Sequence, residues 1–251
     1  MYYNREEYSI YYEKYGNHDK TIIILPGWGE TRKTFDNIIS FFKENYTIYI
    51  FDYPGFGNSI FPNIDLSIYD YADIIRNFMN DNNIINPIII AHSFGGRIAT
   101  ILTGYYKEKI DKLIMIDTAG IKHKKSITHW LKEKTYKILK KLKLVVPKKK
   151  RDRYLGFLTN IFGSSDYKSL NNCMKKTFQN IINEDLKYYL KDIESETLLI
   201  WGQLDNSTPL KDGKLMNNKI KNSALIIFPE GNHFVYMQYP LLINNIISKF
   251  I

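Results

Sequence analysis

The stretch Ile88-Ile89-Ile90-Ala91-His92-Ser93-Phe94-Gly95-Gly96-Arg97 decides how the rest of the chain is read. Three isoleucines make a β-branched apolar run, suited to a strand buried on both faces. The run meets Ser93 in a turn of small residues and leaves through Ile98-Ala99-Thr100-Ile101-Leu102, which is compatible with a helix. Strand, tight turn and helix in that order hold a serine in a strained backbone conformation with its hydroxyl exposed. The residues two before and two after it must be small, so that strand and helix pass closely. Gly95 meets that need, Gly96 adds room, and Ala91 places one methyl where glycine is usual. Ser93 therefore reads as a nucleophile. The turn aims the N–H of Phe94 and the positive helix N-terminus at whatever Ser93 attacks. The other reading is a plain strand-to-helix turn whose serine caps the helix, and the surrounding chain has to decide.

Outward from that stretch the same rhythm repeats. Tyr8 to Tyr15 reads as a strand ending at Gly16-Asn17. Thr21-Ile22-Ile23-Ile24-Leu25 is a buried strand broken by Pro26-Gly27-Trp28-Gly29. A helix is expected over Phe35 to Phe42, a strand over Tyr46 to Phe51, and then the turn-dense loop Asp52 to Ser59. Tyr69 to Met79 has helical spacing, with Tyr71, Ile74, Ile75 and Phe78 on one side. The helix after Ser93 is expected to run to about Tyr106. Lys112 to Ile116 is the next strand, ending in Asp117-Thr118-Ala119-Gly120. Uniformly apolar strands alternating with helices imply a parallel sheet covered on both faces, with function at the carboxyl ends of the strands.

The rhythm stops between Ile121 and Ile193, where helical spacing dominates and Leu131, Thr135, Ile138, Leu139, Leu142, Val145 and Val146 mark one face. Strands resume at Thr197 to Trp201, followed by Gly202-Gln203-Leu204-Asp205, and at Ala224 to Phe228, followed by Pro229-Glu230-Gly231-Asn232-His233. A closing helix is expected over Leu241 to Ile251. The organisation is one core, 1–120 with 194–251, carrying a helical insertion over 121–193.

Composition limits the classes available. A chain of 251 residues, 44% hydrophobic and 24% charged, is ordinary for one soluble domain. No apolar run reaches the roughly 20 residues that span a bilayer. The stretch Met1 to Glu7 lacks the apolar core of a signal peptide, so a cytoplasmic location is expected. The single Cys173 excludes an internal disulfide framework, and its setting beside Met174, Lys175 and Lys176 suits packing better than reactivity. The net charge of +9 is local: Lys122 to Arg153 holds fourteen Lys and Arg against Glu133 and Asp152, and the remainder of the chain is slightly acidic. That segment, with Lys148-Lys149-Lys150-Arg151-Asp152-Arg153 at its end, reads as a solvated face of helices. Its other reading is a weak attraction for an anionic membrane or an acidic substrate. Nucleic acid is not expected, because no recognised binding fold accompanies the charge.

Ser93, Asp205 and His233 each follow an expected strand. Loops at one sheet edge can converge, so His233 can take the Ser93 proton while Asp205 holds the imidazole tautomer and stabilises the imidazolium. Asp117 is a rival acid, ranked second because Gly-Gln-Leu-Asp-Asn-Ser-Thr-Pro before the last strand is the stronger setting. The N–H groups of Trp28 and Phe94 are the candidate donors to a developing oxyanion. Gly27, Gly95 and His92 are read as supporting, with His92 pointing away from the site.

Together Leu-Pro-Gly-Trp-Gly, Phe-Asp-Tyr-Pro-Gly-Phe-Gly-Asn-Ser, Ala-His-Ser-Phe-Gly-Gly, Trp-Gly-Gln-Leu-Asp and Gly-Asn-His give the chain a resemblance to the α/β-hydrolase superfamily. It is similar to the small capped esterases and meta-cleavage C–C hydrolases. Pro26 stands where histidine is common before the oxyanion glycine, and Ala91 where glycine is common. The turn-dense loop Asp52 to Ser59 resembles a structural turn of that family and is expected to be structural rather than catalytic. The resemblance implies the order nucleophile, acid, base, and a mostly parallel sheet of about eight strands with a helical cap inserted after the sixth. It also implies no metal or organic cofactor and a small-molecule acyl substrate. A Ser rather than an Asp at position 93 argues against haloalkane dehalogenase chemistry. The activity expected is hydrolysis of an ester or thioester of a small to medium acyl group. C–C bond hydrolysis and a non-catalytic binding protein on the same scaffold are the alternatives, and the oligomeric state is left open.

Overall fold

The computed structural model describes residues 1–5, 8–60, 64–123, 135, 139–140, 147, 150–151, 153–154 and 172–251. Eight strands form one sheet: β1 (Tyr2–Arg5), β2 (Tyr8–Tyr15), β3 (Thr21–Leu25), β4 (Thr47–Phe51), β5 (Ile88–His92), β6 (Lys112–Ile116), β7 (Glu196–Gly202) and β8 (Ser223–Phe228). Their order is β1-β2-β4-β3-β5-β6-β7-β8. β1 and β2 pair antiparallel, as do β2 and β4, and every other neighbour is parallel. β5 lies inside the sheet between β3 and β6, and its five residues are all buried. That is why it reads as a continuous apolar run rather than an alternating one.

The helices with described bounds are α1 (Asp36–Phe42), α2 (Ile68–Asp81), α3 (Phe94–Thr100), α4 (Asn172–Asn183), α5 (Leu210–Lys219), α6 (Val235–Gln238) and α7 (Pro240–Phe250). Two buried clusters occupy the two faces of the sheet. One gathers Tyr71, Ile75 and Phe78 of α2 and Ile98 of α3 with Ile23, Ile89 and Met115; the other gathers Ile38 and Phe42 of α1 and Ile243 and Ile247 of α7 with Ile24, Ile90 and Ile114. Alternate residues of one strand thus serve opposite clusters, as strand geometry requires. α2 starts with a full capping box in which Ser67 and Asp70 satisfy each other's backbone amides.

Some elements escape the sequence pattern. β1 has no apolar run, because it is an exposed edge strand that pairs only with β2. α5 and α6 are short and mostly polar or loop-bound, and periodicity does not mark them. The helix after Ser93 changes at Ile101 to a π-helical turn, Ile101–Tyr105. Of the expected insertion over 121–193, α4 and two 3₁₀ turns (Leu186–Tyr188 and Leu190–Asp192) are described. The apolar face from Leu131 to Val146, the basic run Lys148 to Arg153 and the Cys173 side chain lie outside the described residues, apart from isolated positions.

The close passage of α3 over β3 depends on Gly95. A Cβ there would lie 1.9 Å from the Leu25 carbonyl oxygen and 2.5 Å from its carbon, both backbone atoms that cannot swing aside. Gly95→Ala is therefore expected to destabilise the fold by about 3 kcal/mol or more, the upper range of core overpacking. Urea unfolding of the two proteins checks this, and a loss below about 1 kcal/mol would mean that α3 can lift off β3 at little cost.

Candidate active site

Ser93 follows β5 with φ 48° and ψ −110°, a conformation that L-residues avoid. The strain is offset by backbone hydrogen bonds on both sides of the turn: Ser93 N donates to Ile116 O (3.1 Å), and its own carbonyl accepts from Ala119 N (3.0 Å) and Gly96 N (3.1 Å). Held in this way, the Ser93 Oγ reaches His233 Nε2 at 3.0 Å. His233 Nδ1 lies 2.8 Å from Asp205 Oδ2. An ionised carboxylate only accepts, so Nδ1 is assigned the proton and Nε2 is free to accept from the Ser93 hydroxyl.

Asp205 is buried and accepts from Ser207 N (2.7 Å), Thr208 N (2.9 Å) and the Thr208 hydroxyl (2.5 Å). Burial opposes its charge, but the hydrogen bonds from His233 and Thr208 outweigh it and hold the carboxyl below its ordinary range. Asp117, the rival acid, makes no hydrogen bond to His233. Its Oδ1 accepts from Gly202 N at 2.8 Å, its Oδ2 has no partner among the described residues, and burial pushes its pKa up to about 8. At neutral pH Asp117 is largely protonated and unsuited to stabilising an imidazolium.

The loop after β3 brings the Trp28 backbone beside the Ser93 turn. The indole packs edge-on against Phe56 (4.8 Å between ring centres) and Phe94 (5.2 Å), with Phe178 of α4 a further 5.2 Å neighbour. The N–H groups of Trp28 and Phe94 donate to nothing within the described residues. The loop from Asp52 to Ser59 stays outside the site: Asn58 N donates to the Asp52 carboxylate (2.8 Å) and the Ser59 hydroxyl to its carbonyl (2.5 Å), while Phe56 buttresses Trp28.

Glu30 is the member that sequence reasoning missed. Its Oε2 accepts from Gly27 N at 2.8 Å, and its Oε1 forms an ion pair with His92 Nδ1 at 2.7 Å. The His92 ring is fully buried and points away from the cavity, and its Nε2 sits 2.7 Å from the His233 carbonyl oxygen. Burial disfavours the His92 imidazolium, but the Glu30 charge and the two acceptors raise its pKa above the ordinary imidazole value. Burial likewise disfavours the Glu30 carboxylate, and the His92 charge more than compensates, so its pKa is lowered. One buried ion pair thus ties together the loop of Gly27 and Trp28, the residue before Ser93, and the backbone of His233. An acid just after a glycine-rich turn and a histidine just before the serine were the available signals, but nothing in the sequence pairs them.

A cavity of about 710 Å³ opens over these groups, lined by Trp28, Ser93, Phe94, Arg97, Phe178 and His233 among others. Among the described residues no cluster of His, Cys, Asp or Glu could hold a metal ion, and no helix is long and apolar enough to cross a membrane. The arrangement joins a hydroxyl, a base within reach of it, an acid orienting the base, and two unused amide donors, which is the equipment for acyl transfer.

The Glu30–His92 pair has a definite pH signature. The depressed Glu30 value contributes stability above the unfolded carboxyl value of about 4.3, lost as pH falls through the folded value; the raised His92 value contributes below about 6.5, lost as pH rises through its folded value. The difference in Tm between the wild type and Glu30→Gln is therefore expected to be largest between about pH 4.3 and 6.5. Nitrogen-detected NMR should show His92 titrating above the ordinary imidazole range in the wild type and markedly lower in Glu30→Gln. An unchanged His92 titration would dissolve the pair.

Residues 20–170 match the family model described as the alpha/beta hydrolase fold. The chain is 29% identical over 257 residues to the pimeloyl-[acyl-carrier protein] methyl ester esterase of Wigglesworthia glossinidia brevipalpis, covering 94% of this chain and 95% of that protein. It is 22% identical over 265 residues to the 2-hydroxy-6-oxononadienedioate/2-hydroxy-6-oxononatrienedioate hydrolase of Escherichia coli K12, covering 96% and 90%. The enol-lactonase structure from Burkholderia xenovorans LB400 superposes with a TM-score of 0.76 at 15% identity, covering 100% of this chain and 99% of that one. With a family model matched over more than half its length and the eight-stranded sheet in place, the chain belongs to the α/β-hydrolase fold family.

Proposed function

We propose that this protein is a serine hydrolase acting on an ester or thioester of a small to medium acyl group. The observation that carries the reading is the unbroken line from Ser93 Oγ through His233 to Asp205, at 3.0 Å and 2.8 Å, beneath a cavity large enough for a small molecule. Ser93 attacks the carbonyl carbon while its proton passes to His233 Nε2. The oxyanion takes hydrogen bonds from the Trp28 and Phe94 amides, and Asp205 stabilises the imidazolium. Collapse of the tetrahedral species expels the alcohol or thiol, which takes the proton from His233. Water, activated by the same ring, then releases the acid and restores Ser93. Similarity to a methyl ester esterase supports this bond type. The insertion over 121–193 is taken to shape the acyl pocket, as its described residues Phe178, Ile181 and Ile182 already line the cavity.

A second reading, hydrolysis of a carbon–carbon bond in a vinylogous diketone, is favoured by the relative named as an oxononadienedioate hydrolase. It needs the same three residues, so only substrate turnover separates the two.

Incubation with a fluorophosphonate should add one adduct to the wild type, mapped to Ser93, and none to Ser93→Ala. Turnover of short and medium-chain nitrophenyl esters should fall by about 10⁴-fold or more in Ser93→Ala and by a similar order in Asp205→Asn, while Asp117→Asn stays close to wild type. Labelling without ester turnover would favour the carbon–carbon reading. No labelling of folded protein would remove the serine-hydrolase proposal.

A further inference from the structure

Arg97 sits one turn beyond Ser93 on α3, about 6 Å along the helix axis. Gly95 and Gly96 carry no side chains, so the first turn of this helix presents only Phe94 and Arg97 to its surroundings. Arg97 is only 7% exposed, and it lines the same cavity as Ser93 and His233, beside Ala119, Phe178 and Ile181. A guanidinium in such a place normally has a carboxylate against it.

Here it has none among the described residues. Nη1 donates to the carbonyls of Ile181 (2.9 Å) and Glu184 (3.1 Å) at the C-terminal end of α4. The acids nearest those carbonyls are turned elsewhere. The Glu184 carboxylate meets the Tyr69 hydroxyl at 3.3 Å, and the Asp185 carboxylate pairs with Lys187 Nζ at 2.9 Å while accepting from the Lys122 and Lys187 amides. A helix C-terminus supplies only about half a negative charge, so a net positive charge remains on Arg97. Nε and Nη2 hold three further N–H groups in a planar fork, and none of these finds an acceptor among the described residues. Burial pulls the Arg97 pKa down to about 10, with the charges of Asp185 and Glu184 opposing it.

The geometry points to Arg97 as a carboxylate-recognition residue, so that the favoured substrate carries a carboxylate on the far side of its reacting carbonyl. The free edge of the guanidinium matches a carboxylate bidentately, and the cavity wall excludes much of the water that would compete. Phe178 and Ile181 line the same cavity and offer apolar surface to an aliphatic spacer between that carboxylate and Ser93. This deepens the serine-hydrolase reading and rests on it for the identity of the reacting carbonyl. The anchoring of α4 by Nη1 is a separate duty of the same side chain, and the test has to tell the two apart.

The probes are monomethyl half-esters of straight-chain dicarboxylic acids and the neutral methyl esters of the matching monocarboxylic acids, over a range of chain lengths. Binding is measured by calorimetry on Ser93→Ala, where no turnover interferes. At one chain length the half-ester is expected to bind about tenfold or more tighter than its neutral counterpart, the effect of a buried charged hydrogen bond. The preference should be lost in Ser93→Ala/Arg97→Met and reduced but still present in Ser93→Ala/Arg97→Lys, which keeps the charge without the bidentate fork and serves if the methionine variant fails to fold. It should also persist near 1 M salt, where the Debye length is about 3 Å and non-specific attraction by the basic sequence of the 122–153 segment is screened. Equal binding of both ester types, a preference that survives Arg97→Met, or one abolished by salt would each overturn the assignment. A parallel assay of ester turnover by the wild type keeps the two proposals separable: half-ester preference in binding without hydrolysis would sink the hydrolase reading alone, and hydrolysis without preference the carboxylate site alone.

Discussion

The backbone of Ser93 is the constraint on which the rest of the structure depends. A residue at φ 48° persists only where its surroundings leave no alternative. Three backbone hydrogen bonds provide that enclosure: those with Ile116 and Ala119 come from β6, which pairs with β5, and the loop after it, and that from Gly96 closes the turn itself. The two glycines that follow let α3 settle against Leu25 and Thr118.

From that point the site extends by contacts between loops rather than within them. His233 and Asp205 arrive from the ends of β8 and β7, and their mutual distance follows from the pairing of those two strands from Thr197–Ser223 to Gly202–Phe228. The Glu30–His92 pair adds a second link beneath the cavity, joining the loop after β3 to the His233 backbone. Such a buried pair adds little net stability because of its desolvation penalty, yet losing one partner strands the other charge. Its service here is geometric: three loops are held to one arrangement before any ligand arrives, which is the preorganisation that oxyanion stabilisation requires.

The burial of charge separates three acidic groups that look alike in sequence. Asp205 is kept ionised by hydrogen bonds, Glu30 by an imidazolium, and Asp117 is driven toward its neutral form by burial, with one of its oxygens left without a partner among the described residues. Environment assigns the roles, as it does wherever carboxyl groups share a small volume. Arg97 extends the same logic to a cation, with its neighbours Glu184 and Asp185 engaged by Tyr69 and Lys187.

Read alone, the sequence was enough for the parallel sheet, since continuous isoleucine and leucine runs at 22–25, 88–90 and 198–200 call for strands buried on both faces. It was also enough for the strained turn at Ser93 and for the nomination of His233, Asp205, Trp28 and Phe94, because strand ends, glycines and chain order are local properties. β1 was invisible to it, since an exposed edge strand needs no apolar pattern. The sequence ranked Asp205 ahead of Asp117 by its setting, but the 2.8 Å approach of Asp205 to His233, the joining of Glu30 to His92 and the place of Arg97 on the cavity wall belonged to the tertiary structure. These are relations between side chains far apart in the chain, and distance and burial are set only when the sheet brings its loops together.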